Sequence, residues 1–150
     1  MPDPLQKARG YAFFLLKFRP RSSLELRLRL KKKGFAGDTI EETLAFLKAK
    51  KFIDDFAFAR EWIECRLKKP YGLKRITQEL ILKGIEPKII ERIFGEVKKD
   101  YCEEEVVAQL VKKKRAHGRD EEPEKTKQRL YSYLLRRGFS ADVALAALNK

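Results

Sequence analysis

Three stretches of this chain end alike: "RLRLKKKGF" (Arg27 to Phe35), "RITQELILKGI" (Arg75 to Ile85) and "RLYSYLLRRGF" (Arg129 to Phe139). Their glycines, Gly34, Gly84 and Gly138, stand 50 and 54 residues apart, a period that marks tandem supersecondary units. Eight positions before each glycine stand Leu26, Ile76 and Leu130, and four before stand Leu30, Leu80 and Leu134. Spacing by four puts each pair on one helix face. Lys33, Lys83 and Arg137 precede the glycines, and Phe35, Ile85 and Phe139 follow them. A glycine there adopts φ > 0 at low cost and reverses the chain, while the apolar residue after it packs back on the helix it ends.

A second periodic run follows each glycine: Ile40, Leu44 and Leu47; Ile89, Ile90, Ile93 and Phe94; Val143, Ala144, Ala147 and Leu148. A third precedes each pair, carried by Leu5, Ala8, Tyr11, Ala12, Leu15 and Leu16, then by Phe56, Ala59, Trp62, Ile63 and Leu67, then by Val106, Val107, Leu110 and Val111. The predicted fold is all-α: three tandem three-helix, helix-turn-helix-like repeats over residues 1–53, 54–100 and 101–150. Punctuation agrees with this division. Ser22 and Glu25 form a capping box, Asp54 and Ser140 are N-caps, and Pro87 suits a first helical turn. "GRDEEPEK" (residues 118–125) reads as a solvated loop.

Composition bears on function through charge: 35 Lys and Arg oppose 22 Asp and Glu, a formal +13, which makes a polyanion the default partner. The first 53 residues carry 13 basic and 5 acidic residues, hence most of the excess. Nothing approaches the roughly 18 apolar residues of a membrane span, and the start "MPDPLQKARG" lacks the order of a signal peptide, so a cytoplasmic location with no membrane partner is expected. Cys65 and Cys102 are expected as buried or half-buried thiols rather than a disulfide or metal pair. His117 is the only histidine, which leaves histidine metal clusters and Ser-His-Asp arrangements without material. No phosphate-cradling glycine run is present, and Asp54 and Asp55 read as cap and dipole partner. No enzyme, cofactor or metal is expected.

Basic residues on helical faces remain: Arg27, Lys31, Lys32 and Lys33; Lys74 and Arg75; Lys112, Lys113, Lys114, Arg115 and Arg119. Lys33, Lys83 and Arg137 also suit a helix C-terminus, where cations meet the negative end of the dipole. Phe13, Phe14, Phe18, Phe56, Phe58 and Trp62 fall on the first helices of their units, where core burial is expected over base stacking. The three copies differ in polar residues and none stands out as a recognition helix, which argues against sequence-specific DNA reading.

"DDFAFAREWIECR" (Asp54 to Arg66) and "YGLKRITQELILKGI" (Tyr71 to Ile85) resemble the signature of the RecX family of bacterial recombination regulators. Asp54, Asp55, Phe58, Ala59, Trp62 and Arg66 match its D-D-x-x-F-A-x-x-W-x-x-x-R pattern. Gly72, Arg75, Ile76, Glu79, Leu80, Lys83, Gly84 and Ile85 match G-x-x-R-I-x-x-E-L-x-x-K-G-I. Ala8, Ala12, Arg19, Arg21, Ser22, Glu25 and Leu26 fit the family's first unit, and Leu130, Leu134, Gly138 and Phe139 its third. The resemblance implies an elongated, curved array lodged in the groove of the RecA recombinase filament on single-stranded DNA, inhibiting ATP hydrolysis and strand exchange; a monomer is expected, and double-stranded DNA is a further candidate. On that reading Arg27, Lys31, Lys32, Lys33, Lys74 and Arg75 contact filament or DNA, whereas Asp54, Phe58, Trp62, Leu80 and Gly84 belong to the scaffold. The rival readings are a nonspecific basic DNA-binding protein that competes for the strand and a peptide-binding helical scaffold.

Overall fold

A computed structural model of the chain describes residues 3–97, 101–117 and 122–150, and every regular element among them is an α-helix. The first unit comprises α1 (Pro4–Phe18), α2 (Ser23–Lys33) and α3 (Gly37–Ala49). The second comprises α4 (Asp55–Lys68), α5 (Leu73–Leu82) and α6 (Pro87–Val97), and the third α7 (Glu103–Ala116), α8 (Pro123–Arg136) and α9 (Ala141–Leu148). Each unit has its own core. Ala8, Ala12, Leu26, Leu30, Leu44 and Leu47 are buried in the first; Ala59, Ile63, Ile76, Leu80, Ile90 and Ile93 in the second; Val107, Val111, Leu130, Leu134, Phe139 and Leu148 in the third. Three small cores in sequence, in place of one large one, make the molecule a tandem array whose units meet at joints.

The repeated glycines do what their spacing predicts. Gly34, Gly84 and Gly138 have φ of 102°, 81° and 94°. In each turn the glycine N–H donates three residues back, to Lys31, Ile81 and Leu135, at 3.0 Å. The next N–H donates five back: Phe35 to Leu30 at 3.2 Å, Ile85 to Leu80 at 3.0 Å, Phe139 to Leu134 at 3.1 Å. This pair of bonds is the Schellman motif, which satisfies carbonyls a helix end would leave open. The caps form as expected: Asp54 accepts from the amides of Phe56 and Ala57, Ser140 from Val143, and Ser22 and Glu25 cap reciprocally.

Two of these turns also join units. The C-terminal end of α5 abuts the start of α2, where the Ser22 hydroxyl donates to the Lys83 carbonyl at 2.8 Å. The end of α8 abuts the start of α5, where the Gly72 amide donates to the Arg137 carbonyl at 2.7 Å. Second helices thus run end to end, α8 into α5 into α2, with the negative end of one dipole on the positive end of the next. Approach is close enough that a Cβ on Gly72 would fall on the Gly138 carbonyl, and one on Gly84 would come within 2.6 Å of Leu24 Cβ. At α8 the series stops. Thr126, twelve positions before Gly138 as Ser22 and Gly72 are before their glycines, lies inside a helix that begins at Pro123.

Polar side chains reinforce the first joint. Glu25 accepts from Arg19 at 2.7 Å and from Lys83 at 3.2 Å, and Asp55 accepts from the Ser23 amide at 2.8 Å. Burial pushes the Glu25 carboxyl up, but the hydrogen bonds from Arg19, the Ser22 amide and Lys83 outweigh it and hold the group at about 2. At the second joint Arg137 Nε donates to the Pro70 carbonyl at 3.0 Å, and the guanidinium lies 4.4 Å from the centre of the Tyr71 ring. The Tyr101 hydroxyl donates to the Tyr71 carbonyl at 3.3 Å, and burial pushes this phenol up to about 12, so it stays a donor at neutral pH.

Three expectations need correction. Phe13, Phe14 and Phe18 are exposed. The stripe Ala8, Ala12 and Leu15 already fills the core-facing side of α1, and a helix apolar around its circumference has more apolar surface than two neighbours can cover. Cys65 and Cys102 are free thiols as expected but exposed, the first off the buried stripe of α4 and the second just before α7. Part of the predicted acidic loop is helix, since residues 123–125 form the first turn of α8. Residues 118–121, Arg119 among them, and the predicted boundary at 100 lie outside the described residues.

Glycine substitutions separate turn from joint. Gly34→Ala meets open space, so only the left-handed backbone resists it, at about 1–2 kcal/mol. Gly138→Ala places its methyl on Arg75 and is expected to cost about 1–3 kcal/mol more in urea unfolding; equal losses would mean the joint is not formed in solution. The Glu25 interactions contribute fully above the ordinary carboxyl range near 4.3 and are lost as pH falls toward about 2. Glu25→Gln is expected to lower stability at pH 7 by on the order of 2 kcal/mol, discounted for the exposed Arg19, and to flatten the acid limb of the stability profile.

Candidate polyanion-binding surface

The six cations assigned to filament or DNA contact fall into two places. Lys31, Lys32 and Lys33 form the exposed last turn of α2, beside the one repeated glycine turn with nothing packed on it. Lys33 Nζ lies 5.2 Å from the Tyr11 ring centre. Arg27, a turn or more earlier, points to α3, where its Nε is 2.8 Å from Glu41 Oε1 and a second nitrogen is 3.2 Å from Oε2. That bidentate bond raises its affinity for the proton against a smaller opposing effect of burial. Of the four candidates on α2, the three lysines are free to meet a ligand and Arg27 already has an acid.

Lys74 and Arg75 sit at the second joint. Lys74 is exposed, while Arg75 is half-buried, its guanidinium 4.4 Å from the Tyr71 ring centre and donating to the Arg136 carbonyl at 3.4 Å. With Gln78, Arg136, Ser140 and Ala141 they line a cavity of about 400 Å³. The first turn of α9 opens there, adding the positive end of a helix dipole to three cationic side chains. Arg136 is the member that sequence reasoning missed. It is visible beside Arg137 in "LLRRGF", but its meeting with Lys74 exists only because α8 ends against the start of α5. The two clusters are not united: α2 and α5, 11 and 10 residues long, lie between them, a separation of about 30 Å at ~1.5 Å per residue.

Most of the long central motif maps to the first joint, while its Gly72 and Arg75 lie at the second. Phe58 is buried, its ring stacked 6.0 Å from that of Trp62. Arg66 and Lys83 lie 4.9 and 4.7 Å from the Trp62 ring centre, and Arg66 pairs with Glu79 at 2.6 Å. A mostly apolar cleft of about 250 Å³ opens beside them, with Arg19, Pro20, Cys65 and Lys69 on its walls. Leu80 is buried and Gly84 holds the joint, so every motif residue assigned to the scaffold has a structural contact. Among the described residues no group of His, Cys, Asp or Glu could hold a metal ion, and no helix is long and apolar enough to cross a membrane.

Comparison with known proteins covers nearly the whole chain. Family models described as the first, second and third three-helix domains of RecX match residues 8–47, 54–92 and 103–148. A regulatory protein RecX of Haemophilus influenzae is 34% identical over 134 residues, spanning 89% of this chain and 87% of its own. One from Vibrio vulnificus is 31% identical over 146 residues, spanning 97% and 94%. The crystal structure of a regulatory protein RecX superposes with a TM-score of 0.85 at 22% identity, covering 99% of this chain and 74% of that one. That of RecX from Lactobacillus salivarius gives 0.80 at 22%, covering 99% and 97%. At such identity these two structures speak for the fold.

The second-joint cluster makes a measurable claim on polyanions. Lys74→Glu combined with Arg136→Glu is expected to weaken oligonucleotide binding and to reduce the slope of log affinity against log salt by about 1.5, near 0.7–0.9 per phosphate contact. Arg27→Ala, already paired with Glu41, should leave that slope unchanged; a titration over a salt series checks both.

Proposed function

Because this chain belongs to the RecX family of regulatory proteins, we propose that it binds the RecA filament on single-stranded DNA and inhibits ATP hydrolysis and strand exchange. It does so by lying in the filament groove or limiting extension, with no chemistry and no cofactor of its own. The observation that carries the reading is the placement of cations on a tandem array. Lys31, Lys32 and Lys33 stand at one end of the helix row, and Lys74 and Arg75 at its second joint. A partner whose negative charge repeats along its length engages both clusters at once, so several weak contacts sum to tight binding without any one being strong. A monomer with units at 1–53, 54–100 and 101–150 suffices for this. Double-stranded DNA presents similar charge and is a weaker second ligand on this view.

The test is single-stranded-DNA-dependent ATP hydrolysis by the recombinase, titrated with this protein at two salt concentrations. Inhibition at well under one copy per recombinase protomer, at a salt where naked DNA is not bound, is the expected result. Inhibition only when the protein can coat the strand would favour the reading as a nonspecific DNA-binding competitor. Reversing Lys31, Lys32 and Lys33 to glutamate is expected to cost at least about tenfold in inhibition, as loss of one or two charge contacts worth ~1.4 kcal/mol together would. An unchanged titration with a folded triple variant would remove the α2 cluster from the interface.

A further inference from the structure

The outer face of α1 carries a feature that the core does not use. Phe14 and Phe18 are 55% and 68% exposed, Phe13 is 38% exposed, and Phe52, from the link after α3, is 53% exposed. The rings form two edge-to-face pairs, Phe13 with Phe52 at 4.9 Å and Phe14 with Phe18 at 5.1 Å. At 3.6 residues per turn, Phe13 and Phe18 bound an arc of about 140°, with Lys17, Gly10 and Phe14 between them. A Cβ on Gly10 would meet nothing, so the middle of the arc is open. No acidic residue occurs in Pro4–Phe18, and Lys7, Lys17, Lys50 and Lys51, all exposed, pair with no acid among the described residues. Lys51 has φ of 61°, a left-handed turn that costs about 1–2 kcal/mol in a residue with a side chain, and it immediately precedes the outward Phe52.

Exposed rings interleaved with unpaired lysines have the composition of a stacking platform for single-stranded nucleic acid. Every base offers a π face to an aromatic side chain, and the lysines follow the phosphates. We infer that Phe14 and Phe18, with Phe13, Phe52 and Lys17, form a base-stacking site for single-stranded DNA on the first unit, separate from the cluster at Lys74, Arg75 and Arg136. An acidic protein surface would satisfy the lysines but leave most of the ring area without a matched partner, and a duplex keeps its base faces stacked inside. This inference rests on the proposed function for its setting and adds to it a second kind of contact, to bases as well as to charge.

The probe is an oligothymidylate of about sixteen nucleotides, long enough for one site, and its abasic counterpart of equal length. The variant is Phe14→Ala with Phe18→Ala, two exposed side chains whose loss leaves the core intact, with circular dichroism and thermal unfolding as the check on folding. Expected are a loss of at least about fivefold in affinity for the oligothymidylate, an unchanged salt slope, and no difference between variant and parent on the abasic strand. Phe14→Trp should retain affinity and report stacking by quenching of the new indole on binding. Equal affinity of the folded double variant and its parent for oligothymidylate would overturn the inference, as would loss of recombinase inhibition with oligothymidylate binding intact, which would make this a protein-docking face. The proposed function fails separately: an oligothymidylate site that depends on the phenylalanines, in a parent protein that leaves recombinase ATP hydrolysis unchanged below coating ratios, would keep the stacking site and discard the filament-directed role.

Discussion

Everything in this molecule that is larger than one unit depends on the meeting of helix ends. An α-helix leaves its last carbonyls and first amides without partners, and burying either is costly. Here the Ser22 hydroxyl meets the Lys83 carbonyl and the Gly72 amide meets the Arg137 carbonyl, so each unit supplies the group its neighbour lacks. The contact demands backbone approach without a Cβ in the way. Gly84 and Gly138 therefore serve twice, once for the left-handed turn and once for the space. Because three cores are separate, few other contacts can fix the units relative to one another.

The same joints explain why the family signature is so legible and the proposed binding surface so little. Asp54 caps its own helix, Asp55 takes the amide at the start of α2, Trp62 is packed beside Lys83, and Arg66 is bound to Glu79. Those residues form a dense polar and aromatic lining around the first joint, where geometry restricts side-chain choice. The lysines at the end of α2 face water, where many arrangements of positive charge serve equally well. Their identity carries less information than their placement.

Charge placement also separates two of the three proposed ligand contacts. Lys74, Arg75 and Arg136 gather around the start of α9, where dipole and side chains favour an anion. The face of α1 instead combines ring surface with scattered lysines. An array bearing both kinds of surface on different units can hold a strand by its phosphates at one position and by its bases at another, while the joints keep the spacing between them.

The sequence by itself determined the elements, because helix stripes, caps and glycine stops are local and each is written within about ten residues. Ser22 with Glu25, Asp54, Pro87 and the three glycines all stand where their spacing placed them. Periodicity alone does not say how many sides of a helix find a neighbour, so Phe13, Phe14 and Phe18 read as core and emerge exposed, as do both cysteines. Nor does a local pattern carry information between residues some 61 positions apart. That Arg75 would stand beside Arg136 was decided by tertiary packing, since it follows from which helix end docks against which, and that Arg27 would meet Glu41 follows from α2 lying alongside α3.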